Sequence, residues 1–399
     1  MLPLHGSAKN VRGFGHKSTS TVIRLRSATD NPENEADAAL LRNEADIIKA
    51  LRSGFLRGVM IGDISAVASD LDAFSSLMCL PIECNYLENG DLLGWQTRTG
   101  RFRTLYRRSS SHNSFLVTER CNHNCLMCSQ PPRAIDDTWL LDEIAMALPL
   151  VDPQTPSFAF TGGETLLNSD RFVQLLRQCV EVLPKTAVHV LTNGRAFAND
   201  EVIDAWTAVK HPHLTAAIPI YSAVDHIHDY VVQSFGALDE TVLGILKLKD
   251  REQRVEVRIV LHALTAPRII ETCRWLARNL PFVDHVAIMG LEHTGFALAN
   301  SELLSIDPID YQEALERAVL LLAASGMHVS VYNLPRCVLA RSIWRYAVQS
   351  ISDWKRGYLE ECSSCSEKES CTGFFTTGRL QRSRGIAAIM EEGHGDQIS

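Results

Sequence analysis

Residues 114–128, SFLVTERCNHNCLMC, join a short apolar run to three closely spaced cysteines. The run 114–118 has the length and composition of a buried β-strand. Cys121, Cys125 and Cys128 follow it with the spacing C-x3-C-x2-C. Cysteine thiolates are the usual ligands of iron–sulfur clusters, which normally take four. Because this loop offers three, a four-iron cluster held here would keep one iron open for another ligand. A zinc site is the alternative for the same thiols.

The sequence over 111–333 alternates between strand-like and helix-like stretches. Such alternation predicts a parallel α/β architecture, in which the active site lies at the carboxyl ends of the strands. The cysteine loop occupies one of those ends. The predicted strands are 114–118, 157–161, 187–191, 215–221, 255–261 and 285–289, with a seventh, weaker candidate at 328–332. The predicted helices include 171–183, 201–209, 238–248 and 269–280.

The composition is that of an ordinary globular protein, with 46% hydrophobic and 22% charged residues. No run of about 18 apolar residues occurs, so we expect no membrane span. The net charge of −8 argues against a general polyanion-binding surface, and therefore against DNA as a partner. We expect a reducing, cytoplasmic location, where clustered cysteines bind metal or perform chemistry. The scattered cysteines are expected to be buried small hydrophobic residues: Cys79, Cys84, Cys179 and Cys273.

Two glycines and an acid close the second predicted strand, in the run FAFTGGE at 158–164. Gly162 and Gly163 permit a tight turn and a close backbone approach to a ligand. Glu164 can accept charge-assisted hydrogen bonds from an ammonium group. The plainer interpretation is a Gly-Gly turn with an acidic residue at the start of a helix.

Other candidate residues lie at or near the ends of the later predicted strands. Asn193 belongs to a Thr-Asn-Gly turn after the third strand, and Ser222 follows the fourth. Arg258 lies within the fifth strand, His262 follows it, and Gly290 follows the sixth. A charged side chain in a buried strand needs a partner, which is either a bound carboxylate or an acid of the protein. For His262, a core histidine is at least as good an interpretation as a ligand contact.

Four more cysteines lie in the last section of the chain, 334–399. Cys337, Cys362, Cys365 and Cys371 have the spacing C-x24-C-x2-C-x5-C and offer a complete set of four thiolates. Such a set can hold a second iron–sulfur cluster. Structural zinc also takes four cysteines, although the five-residue spacer is less usual for it, and unmetallated thiols are the third interpretation. The tail after residue 390 is predicted to be disordered.

The cysteine loop, the Gly-Gly-Glu run and the Thr-Asn-Gly turn together resemble the radical S-adenosylmethionine (SAM) superfamily. The resemblance implies a partial (β/α)6 TIM-type barrel and reductive cleavage of SAM to a 5′-deoxyadenosyl radical. It implies that Cys121, Cys125 and Cys128 hold a [4Fe–4S] cluster whose open iron binds SAM. It also implies SAM contacts from Gly162, Gly163, Glu164, Asn193, Ser222, Arg258 and Gly290. Two mild departures from the family pattern are Met127, where an aromatic residue is usual, and Thr165, where proline is common.

Four phrases carry a closer resemblance, to the C-type maturases of the His-Xaa-Ser peptide systems. They are CSQPPR at 128–133, HDYVVQ at 228–233, MGLE at 289–292 and SISDWK at 350–355. The resemblance implies modification of a ribosomally made partner peptide with His-Xaa-Ser repeats, a sister radical SAM maturase, and an electron donor such as flavodoxin or ferredoxin. The last section is similar to the twitch and SPASM-like extensions of radical SAM enzymes, which hold auxiliary [4Fe–4S] clusters.

The first 110 residues form a predicted N-terminal region of unknown role, with a frayed terminus in 1–30 and helical periodicity over 35–51. A basic and aromatic stretch near its end comprises Arg98, Arg101, Phe102, Arg103, Tyr106, Arg107 and Arg108. This stretch favours an alternative function, namely a radical SAM enzyme that acts on RNA or a small-molecule cofactor precursor. A non-catalytic zinc-binding interaction protein is the third hypothesis.

Overall fold

The structure is a computed structural model that describes residues 4–14, 20–63, 68–378 and 382–390. The predicted disordered tail after residue 390 lies outside these ranges. The chain divides into two compact units that alternate along the sequence. The first unit comprises Met1–Arg120, Ala134–Val190 and Ala208–Leu214, and the second comprises Cys121–Arg133, Leu191–Thr207 and Thr215–Ser399.

The N-terminal part of the first unit is a mixed sheet. Its strands are β1 (His5–Ser7), β2 (Lys9–Arg12), β3 (Thr21–Ser27), β4 (Asp37–Leu41), β5 (Arg57–Ile61), β6 (Ser76–Leu80), β7 (Leu92–Gln96) and β8 (Arg101–Tyr106), in the spatial order β1-β8-β7-β3-β4-β5-β6-β2. Since β1 and β2 are one residue apart in sequence and pair with β8 and β6, they close the sheet on itself. Closure pairs the two edges that an open sheet would expose. Ile23, Leu25 and Met78 are among the side chains that fill its core.

Two expectations for this region were wrong. The described residues of the expected frayed terminus form β1, β2 and β3. The periodicity over 35–51 predicted a helix throughout, but its first part is β4, and helix α1 spans only Glu44–Arg52. Asn43 caps that helix, because its side chain accepts the N–H of Asp46 at 3.0 Å. All five residues of β4 are buried between β3 and β5, so sheet packing decided their conformation. A short helix, α2 (Ala68–Asp72), precedes β6.

Strand β8 contains much of the basic and aromatic stretch that favoured an RNA substrate. Phe102 and Tyr106 are buried side chains, and so they cannot stack on nucleic-acid bases. Arg103 forms an ion pair with the buried Glu143 and lies over the ring of Trp139. The aromatic side chains of the stretch therefore pack within the first unit, whereas Arg98, Arg101 and Arg108 are exposed.

The middle of the chain forms a seven-stranded parallel sheet, which confirms the α/β fold class. All seven predicted strands are present, and their spatial order follows the chain. The strands are β9 (Asn113–Thr118), β10 (Ser157–Gly162), β11 (Ala187–Leu191), β12 (Leu214–Pro219), β13 (Arg254–Leu261), β14 (His285–Gly290) and β15 (Val329–Tyr332). This architecture is consistent with the partial barrel expected from the resemblance.

Helices connect these strands, and the four predicted ones correspond to α4, α5, α7 and α8. The helices are α3 (Trp139–Ala147), α4 (Ser169–Val182), α5 (Asp200–Thr207), α6 (Asp225–Val232), α7 (Ala237–Asp250), α8 (Ile269–Asn279), α9 (Gly295–Ala299), α10 (Ser301–Leu304) and α11 (Gln312–Ala324). In α4, Phe172, Leu176 and Cys179 recur at helical spacing and are buried. Phe172 meets Phe160 of β10 edge to face, with ring centroids 5.2 Å apart.

The last section is largely irregular, with one short hairpin of β16 (Arg356–Gly357) and β17 (Phe374–Phe375). All eleven cysteines lie in the described ranges, and none forms a disulfide. Of the scattered cysteines, Cys84, Cys179 and Cys273 are buried as expected, and Cys79 is half-buried. Burial raises the pKa of Cys84 to about 11, which keeps that thiol protonated. Across the described residues, every helix is too short or too polar to cross a membrane.

Candidate functional site

The three-cysteine loop is anchored in the second unit by hydrogen bonds to the neighbouring helices. The N–H of Asn124 donates to the carbonyl of Val232 at 3.2 Å. The N–H of Leu126 donates to the carbonyl of Val231 at 2.9 Å. The amide Nδ2 of Asn300 donates to the carbonyl of Leu126 at 2.8 Å. These bonds fix the backbone on both sides of Cys125 and so limit the directions that its thiol can take.

The end of the loop is held by a close backbone contact. The N–H of Phe296 donates to the carbonyl of Cys128 at 2.8 Å. The preceding Gly295 has φ +54°, and a Cβ at this position would lie 2.6 Å from the same carbonyl oxygen. Only glycine fits this approach without displacing the backbone. The sequence analysis did not identify Gly295 or Asn300, because both follow β14 and meet the loop only in the fold.

Tyr221 lies near all three thiols of the loop. Its pKa is raised well above the usual range, first by burial and then by negative charge on Cys125, Cys128 and Cys121, which Arg258 opposes. Met127 and Tyr221 belong to one buried apolar cluster, against which Cys125 packs. Tyr221 is therefore a buried phenol that responds to the charge of all three loop cysteines.

The three loop thiols can be compared with the geometry of a site that holds one metal ion. Among the described residues, no three Cys, His, Asp or Glu side chains converge on a point where they could ligate one metal ion. Two thiolates on one zinc would lie about 3.8 Å apart, whereas the thiolates of a cluster bind different irons and lie farther apart.

The Gly-Gly-Glu turn lies in the first unit, against the end of β9. Gly162 has φ +145°, and a Cβ there would lie 2.2 Å from the carbonyl oxygen of Thr118. The N–H of Gly163 donates to that same oxygen at 2.8 Å. The N–H of Glu164 donates to the carbonyl of Arg120 at 2.9 Å. The turn is thus bonded to the residues that lead directly into the cysteine loop.

The carboxylate of Glu164 also has a structural role. Its side chain is buried, and Oε1 accepts the N–H of Leu166 at 3.0 Å. This hydrogen bond is the one expected of an acid at the start of a helix, and it fixes the orientation of the carboxylate.

Asp137 also holds the end of β9, and the sequence did not single it out. The buried Asp137 accepts hydrogen bonds from Thr118 Oγ1 and from the N–H of Glu119. The only local signal for it was an Asp-Asp-Thr run before α3.

Asn193 links the Thr-Asn-Gly turn to the cysteine loop inside the second unit. Its Nδ2 donates to Oδ1 of Asn122 at 2.6 Å, and its Oδ1 accepts the N–H of Arg195 at 3.1 Å. The next residue, Gly194, has φ +80°, and a Cβ there would lie 2.8 Å from Cγ2 of Ile218. Asn193 therefore positions a residue that separates two of the cysteines.

Ser222 and Arg258 have partners within the protein. Ser222 is buried, and its Oγ accepts the N–H of Val224 at 3.0 Å just before α6. Arg258 Nε lies 3.6 Å from Oε1 of Glu256 on the same strand. The partner that a half-buried arginine needs is thus an acid of the protein. A role of either residue in SAM binding remains a proposal from the resemblance.

His262 directly follows β13, and Gly290 is the last residue of the neighbouring strand β14. His262 is fully buried, its Nδ1 accepts the N–H of Leu264 at 3.3 Å, and its Nε2 has no partner among the described residues. Burial lowers the pKa of His262 to about 4, so the ring is neutral at physiological pH. It is therefore a core histidine with only one nitrogen paired. A Cβ on Gly290 would lie 2.6 Å from Cδ2 of Leu334, so a side chain here would have to displace that leucine.

The C-terminal cysteines interact with one another. The pKa of Cys337 is raised, first by burial, and further by negative charge on Cys371 and Cys362, while a hydrogen bond from the backbone of Ala387 lowers it. These three thiols, distant in sequence, are therefore close in the fold. The N–H of Gly373 points to Sγ of Cys371 at 3.5 Å.

The segment at 382–390 reaches two of these thiols. The backbone of Ala387 bonds to Cys337, and the N–H of Ile389 donates to Sγ of Cys365 at 3.4 Å. The carbonyl of Ile389 accepts the N–H of Ser366 at 2.9 Å. Backbone N–H groups directed at cysteine sulfurs are a common feature of iron–sulfur sites, where they tune the reduction potential.

Comparison with known protein families agrees with this geometry. Residues 115–295 match the family described as the radical SAM superfamily. The matched segment runs from β9 past β14 and includes the three-cysteine loop, the Gly-Gly-Glu turn and the Thr-Asn-Gly turn. The similarity to the radical SAM superfamily therefore holds for the segment that carries these three motifs.

Several solved structures are similar to part of the chain. SuiB from Streptococcus suis is 13% identical with a TM-score of 0.44, and the match covers 59% of this chain and 51% of that one. Native anSMEcpe with bound AdoMet is 16% identical with a TM-score of 0.43, over 55% and 63%. Coproporphyrinogen III oxidase (HemN) from Escherichia coli is 13% identical with a TM-score of 0.43, over 56% and 54%. The matches thus span about half to two thirds of those chains. No curated protein matches this chain.

Proposed function

We propose that the protein is a radical SAM maturase that modifies a ribosomally made peptide with His-Xaa-Ser repeats. One observation supports the SAM chemistry: the three-cysteine loop, the Gly-Gly-Glu turn and the Thr-Asn-Gly turn all lie within the segment that matches the radical SAM superfamily. The peptide, the sister maturase and an electron donor such as flavodoxin or ferredoxin rest on the resemblance of four phrases in the sequence. A reducing cytoplasm would keep the thiols available.

In this proposal Cys121, Cys125 and Cys128 hold the [4Fe–4S] cluster. When bound, the cluster supplies the electron that splits SAM into methionine and a 5′-deoxyadenosyl radical. The protein fixes the loop through the Asn193–Asn122 hydrogen bond and excludes water with the apolar cluster around Met127. A rigid, dry site limits side reactions of a reactive species.

The buried carboxylate of Glu164 is proposed to accept hydrogen bonds from the amino group of SAM. A buried carboxylate is stabilised by a cationic partner, and an ammonium group supplies one. Gly162 and Gly163 beside it are proposed as SAM contacts on the resemblance, and their packing against the carbonyl of Thr118 fixes the turn that carries Glu164. Ser222, Arg258 and Gly290 are proposed as further SAM contacts, on the resemblance alone.

The C-terminal cysteines, Cys337, Cys362, Cys365 and Cys371, are proposed to hold one auxiliary [4Fe–4S] cluster that takes up or relays an electron. Support comes from the effect that charge on Cys362 and Cys371 has on Cys337, and from N–H groups directed at sulfur. Zinc is the competing occupant of a four-thiolate site, and metal analysis separates the two.

The test is anaerobic reconstitution with iron, sulfide, SAM, dithionite and a synthetic peptide carrying His-Xaa-Ser repeats. Mass spectrometry then measures 5′-deoxyadenosine and the peptide product. We expect Cys125→Ala to abolish 5′-deoxyadenosine formation, because it removes one of only three loop ligands. Cys365→Ala should reduce the peptide product far more than 5′-deoxyadenosine. Cys79→Ala is the matched control, since it removes a half-buried thiol outside both groups and should preserve both products.

Each part of the proposal can fail separately. Full SAM cleavage by Cys125→Ala would contradict the cluster assignment. Stoichiometric zinc in place of iron at the C-terminal cysteines would contradict the auxiliary cluster. Active SAM cleavage with an unmodified peptide would contradict the substrate.

A further inference from the structure

Residues 383–389, which we call the C-terminal strap, form an irregular segment of the second unit. They lie beside the C-terminal cysteine group, which comprises Cys337, Cys362, Cys365 and Cys371. An irregular segment lacks the hydrogen-bond ladder of a helix or a strand. The position of the strap therefore depends on its contacts with other segments of the unit.

The first half of the strap is anchored by one carboxylate. Asp307 accepts the Oγ–H of Ser383 and, at 3.0 Å, the N–H of Arg384. The Asp307 side chain is only 17% exposed, so these bonds are partly shielded from water. The guanidinium of Arg384 also pairs with Asp310, but both side chains are exposed and such a pair contributes little. Asp307 is therefore the main anchor of the strap.

The second half of the strap bonds to the cysteine group. The N–H of Ile389 donates to Sγ of Cys365 at 3.4 Å, and the backbone of Ala387 bonds to Cys337. The carbonyl of Ile389 accepts the N–H and the Oγ–H of Ser366, each at 2.9 Å. The strap therefore contacts two cysteines that are distant from each other in sequence.

The spacing of the two donors follows from the backbone. In an extended chain the N–H groups of alternate residues point to the same side. Ala387 and Ile389 are two residues apart, so both N–H groups can point to the cysteine group. The N–H of Ala388 donates no hydrogen bond to another described residue. The strap thus presents two donors to the sulfurs with one residue between them.

These hydrogen bonds favour the form of cysteine that binds metal. Cysteine ligates metals as the thiolate. A hydrogen bond to an ionised acceptor is roughly twice as strong as one to a neutral acceptor. Metal binding should therefore strengthen the bonds from the strap, and by reciprocity the strap should favour the metal-bound state. Hydrogen bonds to the sulfurs are also among the factors that set the reduction potential of a cluster.

We propose that the C-terminal strap is a positioning segment for a metal centre at the C-terminal cysteine group. The N–H groups of Ala387 and Ile389 hold two ligands of the centre as thiolates and raise its reduction potential, and metal binding holds the strap in place. The inference rests on the proposed function for the auxiliary [4Fe–4S] cluster. Four thiolates are a complete set of ligands for such a cluster, so the residues present fit it.

The first test measures whether metal binding holds the strap. Cys125→Ala protein removes a ligand of the loop and keeps the C-terminal group, and it is reconstituted anaerobically with iron and sulfide. Hydrogen–deuterium exchange with mass spectrometry then follows peptides that cover residues 383–389. Reconstitution should slow their exchange at least about tenfold relative to the metal-free protein. Adding Cys371→Ala should abolish this slowing, because it removes a ligand to which no described residue of the strap bonds.

The second test measures the reduction potential of the same reconstituted protein by a redox titration followed by electron paramagnetic resonance. Ile389→Pro and Ala387→Pro each remove one N–H donor, and each should shift the midpoint potential to a more negative value. Ala388→Pro is the matched control, since it keeps both donors and should leave the potential unchanged. Asp307→Ala changes a residue away from the sulfurs and should also lower the potential, because a released strap bonds to the sulfurs for less of the time.

The outcomes separate this inference from the proposed function. Circular dichroism and iron content check that each variant is folded and loaded. Unchanged potentials in both proline variants and in Asp307→Ala would overturn the inference, as would strap exchange that does not respond to reconstitution. Retained iron with either result leaves the auxiliary cluster standing. Absence of iron from the Cys125→Ala protein would instead contradict the auxiliary cluster, and the inference with it.

Discussion

Replacing Gly162 by alanine tests how the Gly-Gly-Glu turn is built. With φ +145°, this residue occupies a backbone region that is essentially restricted to glycine. The added Cβ would lie 2.2 Å from the carbonyl oxygen of Thr118, where ordinary contacts begin at 3.4 Å. That oxygen cannot move away freely, because it also accepts the N–H of Gly163. We therefore expect both a strained backbone and a broken hydrogen bond.

The expected loss in the free energy of unfolding follows from these two costs. The backbone conformation costs about 1–3 kcal/mol, and loss of the hydrogen bond to Thr118 adds about 1 kcal/mol or more. Together they predict that Gly162→Ala lowers the free energy of unfolding by about 2–4 kcal/mol. Gly54→Ala is the matched control in the same unit, since Gly54 has φ +83° with nothing within 4 Å of an added Cβ. Its cost should be only that of a left-handed alanine, about 1–2 kcal/mol.

Urea unfolding of the metal-free protein, followed by circular dichroism, measures both variants. Iron content and 5′-deoxyadenosine formation after reconstitution then show whether the disturbed turn affects the neighbouring loop. If Gly162→Ala is no more destabilising than Gly54→Ala, the close contact with Thr118 is not a constraint, and the reasoning is refuted.

Two more predictions concern other parts of the chain. Burial opposes ionisation of Asp37, but bonds from Arg24 and from backbone N–H groups outweigh it and hold the pKa of this carboxyl below 3.8. Its stabilisation is thus present above the unfolded-state pKa and is lost as the pH falls through the lower folded-state value. Asp37→Asn should therefore cost about 3 kcal/mol or more at pH 7 and flatten the acid limb of stability below about pH 4, measured by urea unfolding across pH; an unchanged acid limb would count against the ion pair. Asp307→Ala should raise the rate of tryptic cleavage after Arg384 about tenfold, because it removes the partly shielded anchor of the C-terminal segment. The exposed pair made by Asp310 contributes little, so Asp310→Asn should change that rate by less than about fivefold, and equal effects of the two variants would contradict the assignment.

Local sequence patterns were sufficient to predict the parallel sheet and the three-cysteine loop. The periodicity of a strand or a helix is visible within a short stretch of sequence. The alternation over 111–333 can therefore be seen without tertiary information. The spacing of Cys121, Cys125 and Cys128 is local in the same sense. The residues that hold this loop were not predictable in this way. Asn300 and Gly295 are more than 160 residues away from it, and only the fold brings them into contact.

Residues 37–41 show why other parts of the fold could not be predicted from the sequence. Their pattern is compatible with a helix, and they became a strand because neighbouring strands bury them on both sides. The closure of the N-terminal sheet by β1 and β2, the proximity of Cys337 to Cys362 and Cys371, and the contacts of the C-terminal strap with Cys337 and Cys365 are likewise non-local. The sequence by itself determined where the clustered cysteines stand along the chain and which segments form the parallel sheet, because both depend on neighbours along the chain. The tertiary structure alone decided which distant residues meet, because such contacts depend on how buried surfaces pack.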